Sequence, residues 1–172
     1  MPLRQRHDPS KNLVGFVVGD VEYAVAIARV KEITNPLPIV PLPHPPPAVG
    51  GVADFRGEVI PVVELRRRFG LTVAPASRRT KWIIVDASGR LIALVVDGVT
   101  EVFGTGGAEL RPAPTLGGGD DLRGLAGVAS HAGGLVFVLD LARLRELTDP
   151  LAAAGAIGPG ATSVGPLPGS SA

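Results

Sequence analysis

Residues 57–65 read Gly-Glu-Val-Ile-Pro-Val-Val-Glu-Leu, and residues 133–141 read Gly-Gly-Leu-Val-Phe-Val-Leu-Asp-Leu. In both stretches a glycine precedes a short apolar run that ends in an acidic residue and a leucine, at an offset of 76 residues (57 to 133). A short apolar run bounded by turn residues is typical of a buried strand, and the acidic residue after it indicates the start of a helix. The sequence therefore predicts a strand followed by a helix, and predicts it twice.

A second repeated stretch supports an internal duplication. Residues 23–27, Tyr-Ala-Val-Ala-Ile, match residues 92–96, Ile-Ala-Leu-Val-Val, at an offset of 69 (23 to 92). The same offset carries three further positions onto similar ones: Val30 onto Val99, Glu32 onto Glu101 and Ile33 onto Val102. We predict a mainly β fold of two similar units, each with about five short strands that close into a small barrel, together with short helices.

The domain boundaries follow from composition. Residues 1–11 are polar and basic and are expected to form a flexible arm. Residues 12–147 are expected to form one domain, with one barrel at about 12–75, the C-terminal helix packed near it, and the other at 80–139. Residues 148–172 consist mostly of Ala, Gly, Pro and Ser, which bury too little apolar surface to offset the entropy of ordering, so we predict a disordered tail.

The bulk composition excludes several classes of function. A formal charge of +1 gives no net attraction to nucleic acid or to an anionic membrane, and zero cysteines exclude disulfides and thiolate metal sites. No apolar run approaches the roughly 20 residues that span a bilayer. We therefore expect a soluble, cytoplasmic protein with no nucleic-acid partner and no direct membrane insertion.

No group of residues suggests catalysis. The histidines lack metal-ligand spacing and are expected to be exposed in loops: His7, His44 and His131. Glu64 and Asp140 each precede a helix, where a carboxylate caps the positive helix end. Asp120 and Asp121 are adjacent in a glycine-rich stretch, and the basic run 66–68 is expected on a solvated helix face. We predict no enzyme activity, no catalytic residues, no metal and no cofactor.

Two features invite a functional interpretation. Residues 36–47 contain seven prolines, which predicts a stiff extended connector, although an ordinary rigid loop explains it equally well. Arg56 lies in the turn Asp54-Phe55-Arg56-Gly57, where its fork-shaped guanidinium could face a partner or could pin the loop.

The stretch 49–66 resembles the hallmark of the CheW-like family, in which a Gly-Val-x-Asn-Leu-Arg-Gly precedes an apolar strand, a proline and Asp-Leu-Arg. Other stretches agree in order: residues 22–25 with 30–33, residues 95–99, residues 110–114 and residues 135–147. The resemblance covers residues 12–147. Asp54-Phe55 stands where the family usually has Asn-Leu, so an Asp54–Arg56 pairing could hold or occupy the arginine.

This resemblance implies two SH3-like barrels around a shared core, and an adaptor role in chemosensing. The expected partners are the signalling tip of a methyl-accepting chemoreceptor and the regulatory domain of a chemotaxis histidine kinase, within arrays at the membrane. A non-flagellar pathway, for pilus motility or biofilm formation, is an alternative. A peptide-binding regulatory module outside chemosensing is another.

The resemblance also assigns site residues. Arg56 occupies the position of the receptor-associated arginine. The groove between the barrels, where a receptor helix hairpin is expected, would be lined by Val30, Gly98, Val99 and Gly127. The kinase-facing side of the first barrel would include Glu32, Val40 and Gly51.

Overall fold

The structure, a computed structural model, describes residues 11–105, 110–112 and 124–157. These residues form ten strands and three short helices. The strands are β1 (Leu13–Val18), β2 (Val21–Ala26), β3 (Val30–Thr34), β4 (Val49–Phe55), β5 (Glu58–Glu64), β6 (Lys81–Ala87), β7 (Arg90–Val96), β8 (Gly98–Phe103), β9 (Leu125–His131) and β10 (Gly134–Leu139). The helices are α1 (Leu65–Arg68), α2 (Leu141–Glu146) and α3 (Asp149–Ala153), and a 3-10 turn at Ile27–Arg29 precedes β3.

The strands form two five-stranded sheets with the same topology. Sheet I has the order β3-β6-β7-β5-β4 and sheet II has the order β8-β1-β2-β10-β9. Replacing each strand by its repeat counterpart converts one order into the other. In both sheets a single parallel pair, β5 with β7 or β2 with β10, stands among antiparallel neighbours. The predicted mainly β fold of two similar five-stranded units is therefore confirmed.

The predicted division of the chain between these units is wrong. Sheet I takes β6 and β7 from the second half, and sheet II takes β1 and β2 from the first half. The boundaries 12–75 and 80–139 therefore do not separate the two sheets. The sequence does not reveal this exchange, because the hairpins β1–β2 and β6–β7 have similar apolar patterns and nothing in either pattern specifies which sheet it joins.

Two strands that contain glycines, β4 and β9, were not predicted as individual strands from the sequence, because glycine has a low strand propensity. Each supports a neighbouring segment. Val40 exchanges backbone hydrogen bonds with Val52 at 2.8 and 3.0 Å, and Arg111 does the same with Val128 at 3.0 and 2.8 Å. Thus Val40, within the proline-rich connector, is tied to the edge of sheet I.

One hydrophobic core joins the two sheets. It contains Val14 and Phe16 from sheet II together with Val63 and Ile83 from sheet I, all essentially inaccessible to solvent. The ring of Tyr23 stacks on that of Phe69 with centroids 4.5 Å apart. Because residues from both sheets are needed to complete this core, neither sheet is expected to fold without the other.

The predicted disorder of residues 148–172 is wrong for its first ten residues. Thr148 is completely buried, and α3 follows it. Leu151 and Ile157 pack against Val49 and Val52 of β4. Two well-spaced apolar side chains are enough to dock this otherwise small-residue segment on sheet I. Residues 158–172, and most of the predicted N-terminal arm, lie outside the described residues.

Candidate functional site

Arg56 lies at the tip of the hairpin between β4 and β5. The hairpin has a two-residue loop, and both of its residues, Arg56 (φ 51°) and Gly57 (φ 85°), have positive φ. Such turns match strand twist but favour Asn, Asp or Gly at the first position. An arginine there accepts a backbone conformation that costs about 1 kcal/mol or more, which is the kind of strain found at functional positions.

Two neighbours hold the Arg56 guanidinium. Its Nη2 lies 2.7 Å from Oε2 of Glu32 on β3, and its Cζ lies 5.4 Å from the ring centroid of Phe55. The side chain of Arg56 nevertheless remains 75% exposed, against 33% for Glu32. One ion pair leaves most of the five N–H donors of a guanidinium free. The arginine is thus oriented and still accessible to an acidic partner.

Asp54 does not pair with Arg56, so that sequence-based interpretation is wrong. Asp54 Oδ1 accepts a hydrogen bond from the backbone N–H of Gly57 at 2.8 Å. This bond closes the turn, and the identical arrangement recurs where Gly89 donates to Asp86 at 2.7 Å. Asp54 therefore shapes the turn that presents Arg56, while Glu32 supplies the counter-charge.

The Glu32–Arg56 ion pair also joins opposite edges of sheet I, since Glu32 lies on edge strand β3 and Arg56 on the turn after edge strand β4. Sheet II has a matching edge contact: His131 Nε2 of β9 lies 2.6 Å from Glu101 Oε1 of β8. The His131 ring stacks on Phe103 with centroids 3.9 Å apart. His131 was expected to be an exposed loop residue, but it ends a strand and only 23% of its side chain is exposed.

Val30 and Val99, both predicted to line the receptor groove, occupy equivalent positions in the two sheets. Each is half-buried and packs against the core that joins the sheets. Gly98, the residue before Val99, is buried and pairs with Val17 of β1. These three residues therefore lie at the junction of sheets I and II, and their role in lining a receptor groove stays a prediction.

Gly127 lies elsewhere, on β9 at the opposite edge of sheet II from β8. A Cβ at this position would lie 2.8 Å from the carbonyl oxygen of Arg111 and 3.0 Å from Leu110 Cβ. A glycine is therefore needed here so that residues 110–111 can approach the strand.

Val40 and Gly51, predicted on the kinase-facing side, contact each other. Gly51 has φ +147°, and a Cβ there would collide with the Val40 carbonyl oxygen. Val40 itself is 60% exposed, and the neighbouring Ile39 is 42% exposed. These residues form an apolar surface beside β4. Glu32, the third predicted member of this set, instead lies with Arg56.

A charged network missed in the sequence lies beside Gly98. Asp97 Oδ2 accepts a 2.7 Å hydrogen bond from the Gly19 backbone and pairs with Arg66, whose Nη2 is 2.9 Å away. Burial raises the pKa of Asp97, but the hydrogen bonds from Arg66 and Gly19 outweigh it and leave the pKa below its usual value. The motif Val-Asp-Gly-Val placed Asp97 next to the predicted groove. Its pairing with Arg66, 31 residues away in the sequence, could not be predicted, because no local pattern connects the two residues.

The two helix-capping predictions have different outcomes. Asp140 accepts hydrogen bonds from the Ala142 and Arg143 amides and caps α2 as predicted. Glu64 precedes α1 and forms no capping hydrogen bond as well defined as those of Asp140. Burial raises the pKa of Glu64, and the backbone amide of Arg66 and the charge of Arg67 oppose this rise in part.

Within the residues that the structure describes, no three His, Cys, Asp or Glu side chains come together in a way that could hold a metal ion. The helices described are all too short or too polar to cross a membrane. Asp120 and Asp121, as well as His7, lie outside the described residues. Three features remain: the oriented Arg56, the apolar junction between the sheets and the exposed apolar surface at Ile39 and Val40. Such features are typical of surfaces that bind other proteins.

These features define a protein-binding adaptor domain. A family model described as the CheW-like domain matches residues 12–148. The chain belongs to the CheW-like family of chemotaxis coupling proteins. The family predicted from residues 49–66 is therefore confirmed.

Individual relatives agree with this assignment. The chain is 30% identical to the chemotaxis protein CheW of Rhizobium meliloti (strain 1021) over 76% of this chain and 84% of that protein. It is 32% identical to Protein FrzA of Myxococcus xanthus over 73% of this chain and 78% of that protein. The scaffolding protein TtCheW from Thermoanaerobacter tengcongensis superposes with a TM-score of 0.69 at 27% identity, covering 78% of this chain and 87% of that structure.

Proposed function

We propose that this protein couples the signalling tip of a chemoreceptor to the regulatory domain of a histidine kinase, and that it does so by binding alone, without catalysis. The observation that carries this proposal is Arg56: a cation on a strained turn, oriented by Glu32 and Phe55, with three-quarters of its side chain exposed. Although Glu32 pairs with one edge of the guanidinium, most of its N–H donors remain open to solvent and available to a partner.

The receptor surface in this proposal consists of Arg56 with the junction residues Val30, Gly98 and Val99. A receptor tip is a hairpin of amphipathic helices, so apolar side chains would enter the junction while a carboxylate reached the arginine. Glu32 belongs to this surface as well. It competes with the partner's carboxylate for Arg56, so its presence favours partners whose acidic group binds more strongly than an exposed intramolecular pair does.

The kinase surface consists of Val40 and its neighbour Ile39, supported by Gly51. Exposed β-branched residues on a sheet edge suit association with another β domain, because main-chain and apolar contacts can combine there. Gly51 contributes indirectly, since it allows the Val40 segment to pair with β4. Gly127, predicted for the receptor side, contributes in the same indirect way, since it allows residues 110–111 to approach β9.

Isothermal titration calorimetry with two purified probes tests both surfaces. The probes are a soluble fragment carrying the signalling tip of a chemoreceptor from the same cells, and the isolated regulatory domain of its kinase. Arg56→Glu is expected to weaken receptor binding about tenfold or more and to leave kinase binding unchanged. Val40→Asp is expected to give the reverse pattern.

Arg67→Glu is the matched control, because Arg67 is an exposed arginine outside both surfaces. Thermal denaturation of each variant shows whether the fold survives. Undiminished receptor binding by a folded Arg56→Glu variant would remove Arg56 from the site. If the wild-type protein binds neither probe, the coupling function is wrong and a peptide-binding module outside chemosensing becomes the better interpretation.

A further inference from the structure

A second arginine lies at the junction between the sheets. Arg79 belongs to the segment between α1 and β6, and its Nε and Nη2 atoms lie 3.6 Å from the place where a Cβ on Gly98 would be. The guanidinium therefore lies directly over Gly98, at the start of β8. Arg79 is an exposed residue, so its guanidinium borders Gly98 and is also accessible to solvent.

The backbone around Arg79 is fixed by local hydrogen bonds. The Ser77 amide donates to Thr80 Oγ1 at 2.9 Å, and the Arg79 amide donates to Ser77 Oγ at 3.1 Å. The Thr80 amide completes the turn by donating to the Ser77 carbonyl oxygen at 3.2 Å. A fixed turn lowers the conformational entropy lost when its side chain binds a partner.

The Arg79 guanidinium has no counter-charge among the residues that the structure describes. Asp97 is the obvious candidate, since it precedes Gly98. Its carboxylate is already occupied by Arg66, with Nε–Oδ1 and Nη2–Oδ2 distances of 2.9 Å each, and by the Gly19 amide. Arg66 thus neutralises Asp97 and leaves Arg79 as an uncompensated cation beside Gly98 and Val99.

The repeat places a second arginine at the equivalent point of sheet I. The offset of 69 that carries Val30 onto Val99 carries Arg29 onto Gly98. Arg29 is exposed and forms no ion pair in the described ranges. An unpaired arginine therefore accompanies each junction valine: Arg29 comes from the chain position before Val30, and Arg79 reaches the corresponding position before Val99 from a different segment.

We propose that Arg79, with Arg29 as its counterpart, binds acidic side chains on the helical hairpin that enters the junction. This proposal rests on the receptor-coupling function and adds a specificity determinant to it. Val30 and Val99 would contact the apolar stripe of the helices, while the two arginines would select hairpins that carry a carboxylate on either side of that stripe. Such charges act mainly on the choice of partner and on association rate.

The test is the affinity of the full-length protein for the soluble receptor-tip fragment, measured at several salt concentrations. Arg79→Gln is expected to weaken binding about threefold to tenfold at low salt, with a smaller loss at high salt because exposed charges are screened. Arg79→Lys should recover part of the affinity. Arg78→Gln is the matched control: it is the exposed neighbouring arginine, and the guanidinium nearest to Gly98 is that of Arg79.

A double-mutant cycle identifies the partner group. Each acidic residue of the receptor tip is changed to its amide, and the proposal requires one whose effect disappears in the Arg79→Gln background. Equal affinities of Arg79→Gln and Arg78→Gln, with no coupled carboxylate, would overturn the proposal while leaving the Arg56 result intact. Loss of binding by the wild-type protein itself would instead contradict the coupling function on which the proposal rests.

Discussion

Sheets I and II share one topology, yet their edge contacts differ at the position that the proposed function needs. In both sheets a glutamate on one edge strand pairs with a residue from the hairpin of the other edge: Glu32 with Arg56, and Glu101 with His131. The turn residue equivalent to Arg56 is Ala132, with φ 50° against 51°. The backbone of this turn is therefore the same in both sheets, and two side chains distinguish them: sheet I has Phe55-Arg56 where sheet II has His131-Ala132.

A second difference concerns what covers the two sheets. Val59 on β5 is half-buried and packs against the cluster that contains Leu151. Its counterpart Leu135 on β10 is 55% exposed. The segment that carries α3 follows the last repeated element in the chain. It packs on sheet I, and among the described residues sheet II has no equivalent segment. Arg90 secures it through bonds to Thr148 at 2.9 Å and Asp149 at 2.8 Å.

The Asp97–Arg66 network is a third difference. The repeat offsets carry Asp97 back to Ala28 and Arg66 forward to Ala142, so neither group has a charged equivalent. The network ties the turn after β1 to α1 and to the start of β8. It lies beside the predicted receptor groove, where the two halves of the molecule would otherwise be alike.

The largest expected effect comes from the two equivalent glycines of β4 and β9. Gly51→Ala combines a forbidden φ with a collision against Val40, and we expect it to lower the free energy of unfolding by about 3 kcal/mol. Gly127→Ala meets a milder contact without a positive φ and should cost about 1–2 kcal/mol. Urea denaturation measures both, and equal losses would show that backbone conformation at Gly51 is unimportant.

A smaller effect is expected from Asp97→Asn. At neutral pH the variant should lose about 1–2 kcal/mol of unfolding free energy, because two charge-assisted hydrogen bonds from Arg66 are weakened. The pKa of Asp97 is lowered from an ordinary value of 3.8, so its contribution is complete above that value and is lost as pH falls through the folded-state pKa. The two proteins should therefore converge in stability in strong acid.

Urea denaturation between pH 2.5 and 7 follows this convergence. Asp86→Asn is the control, since Asp86 accepts a backbone hydrogen bond from Gly89, which an asparagine oxygen can also accept. A stability difference between wild type and Asp97→Asn that stayed constant over the whole range would rule out the charge of Asp97 as its source.

The smallest expected effect distinguishes the two turns. Ala132→Gly relieves a positive φ in sheet II and should raise the free energy of unfolding by about 0.5–1 kcal/mol. Arg56→Gly relieves the same strain but removes the exposed Glu32 ion pair, which contributes about 0–1 kcal/mol, so its net gain should be smaller. Chemical denaturation measures the free energy of unfolding of both variants and of the wild type. A loss of stability in Ala132→Gly would show that the alanine is not strained.

Much of the architecture was predictable because it depends on local pattern. The two apolar runs that precede Glu64 and Asp140 predicted two equivalent strands, and the motif around Arg56 identified the family. The turn containing Arg56 was also correctly placed. The partner of Arg56 was not predicted. Glu32 lies 24 residues away in the sequence (32 to 56), and the two side chains meet only when sheet I brings its edge strands together.

The sequence by itself determined the duplication, the mainly β class, the turn that carries Arg56 and the family. All of these follow from side-chain periodicity and short motifs, which act within a few residues. Only the tertiary structure decided that the hairpins exchange between sheets, that residues 149–157 dock on β4, and that Arg79 lies over Gly98. Each of these depends on which of several chemically equivalent surfaces a segment reaches, and that choice is made by the packing of the whole chain.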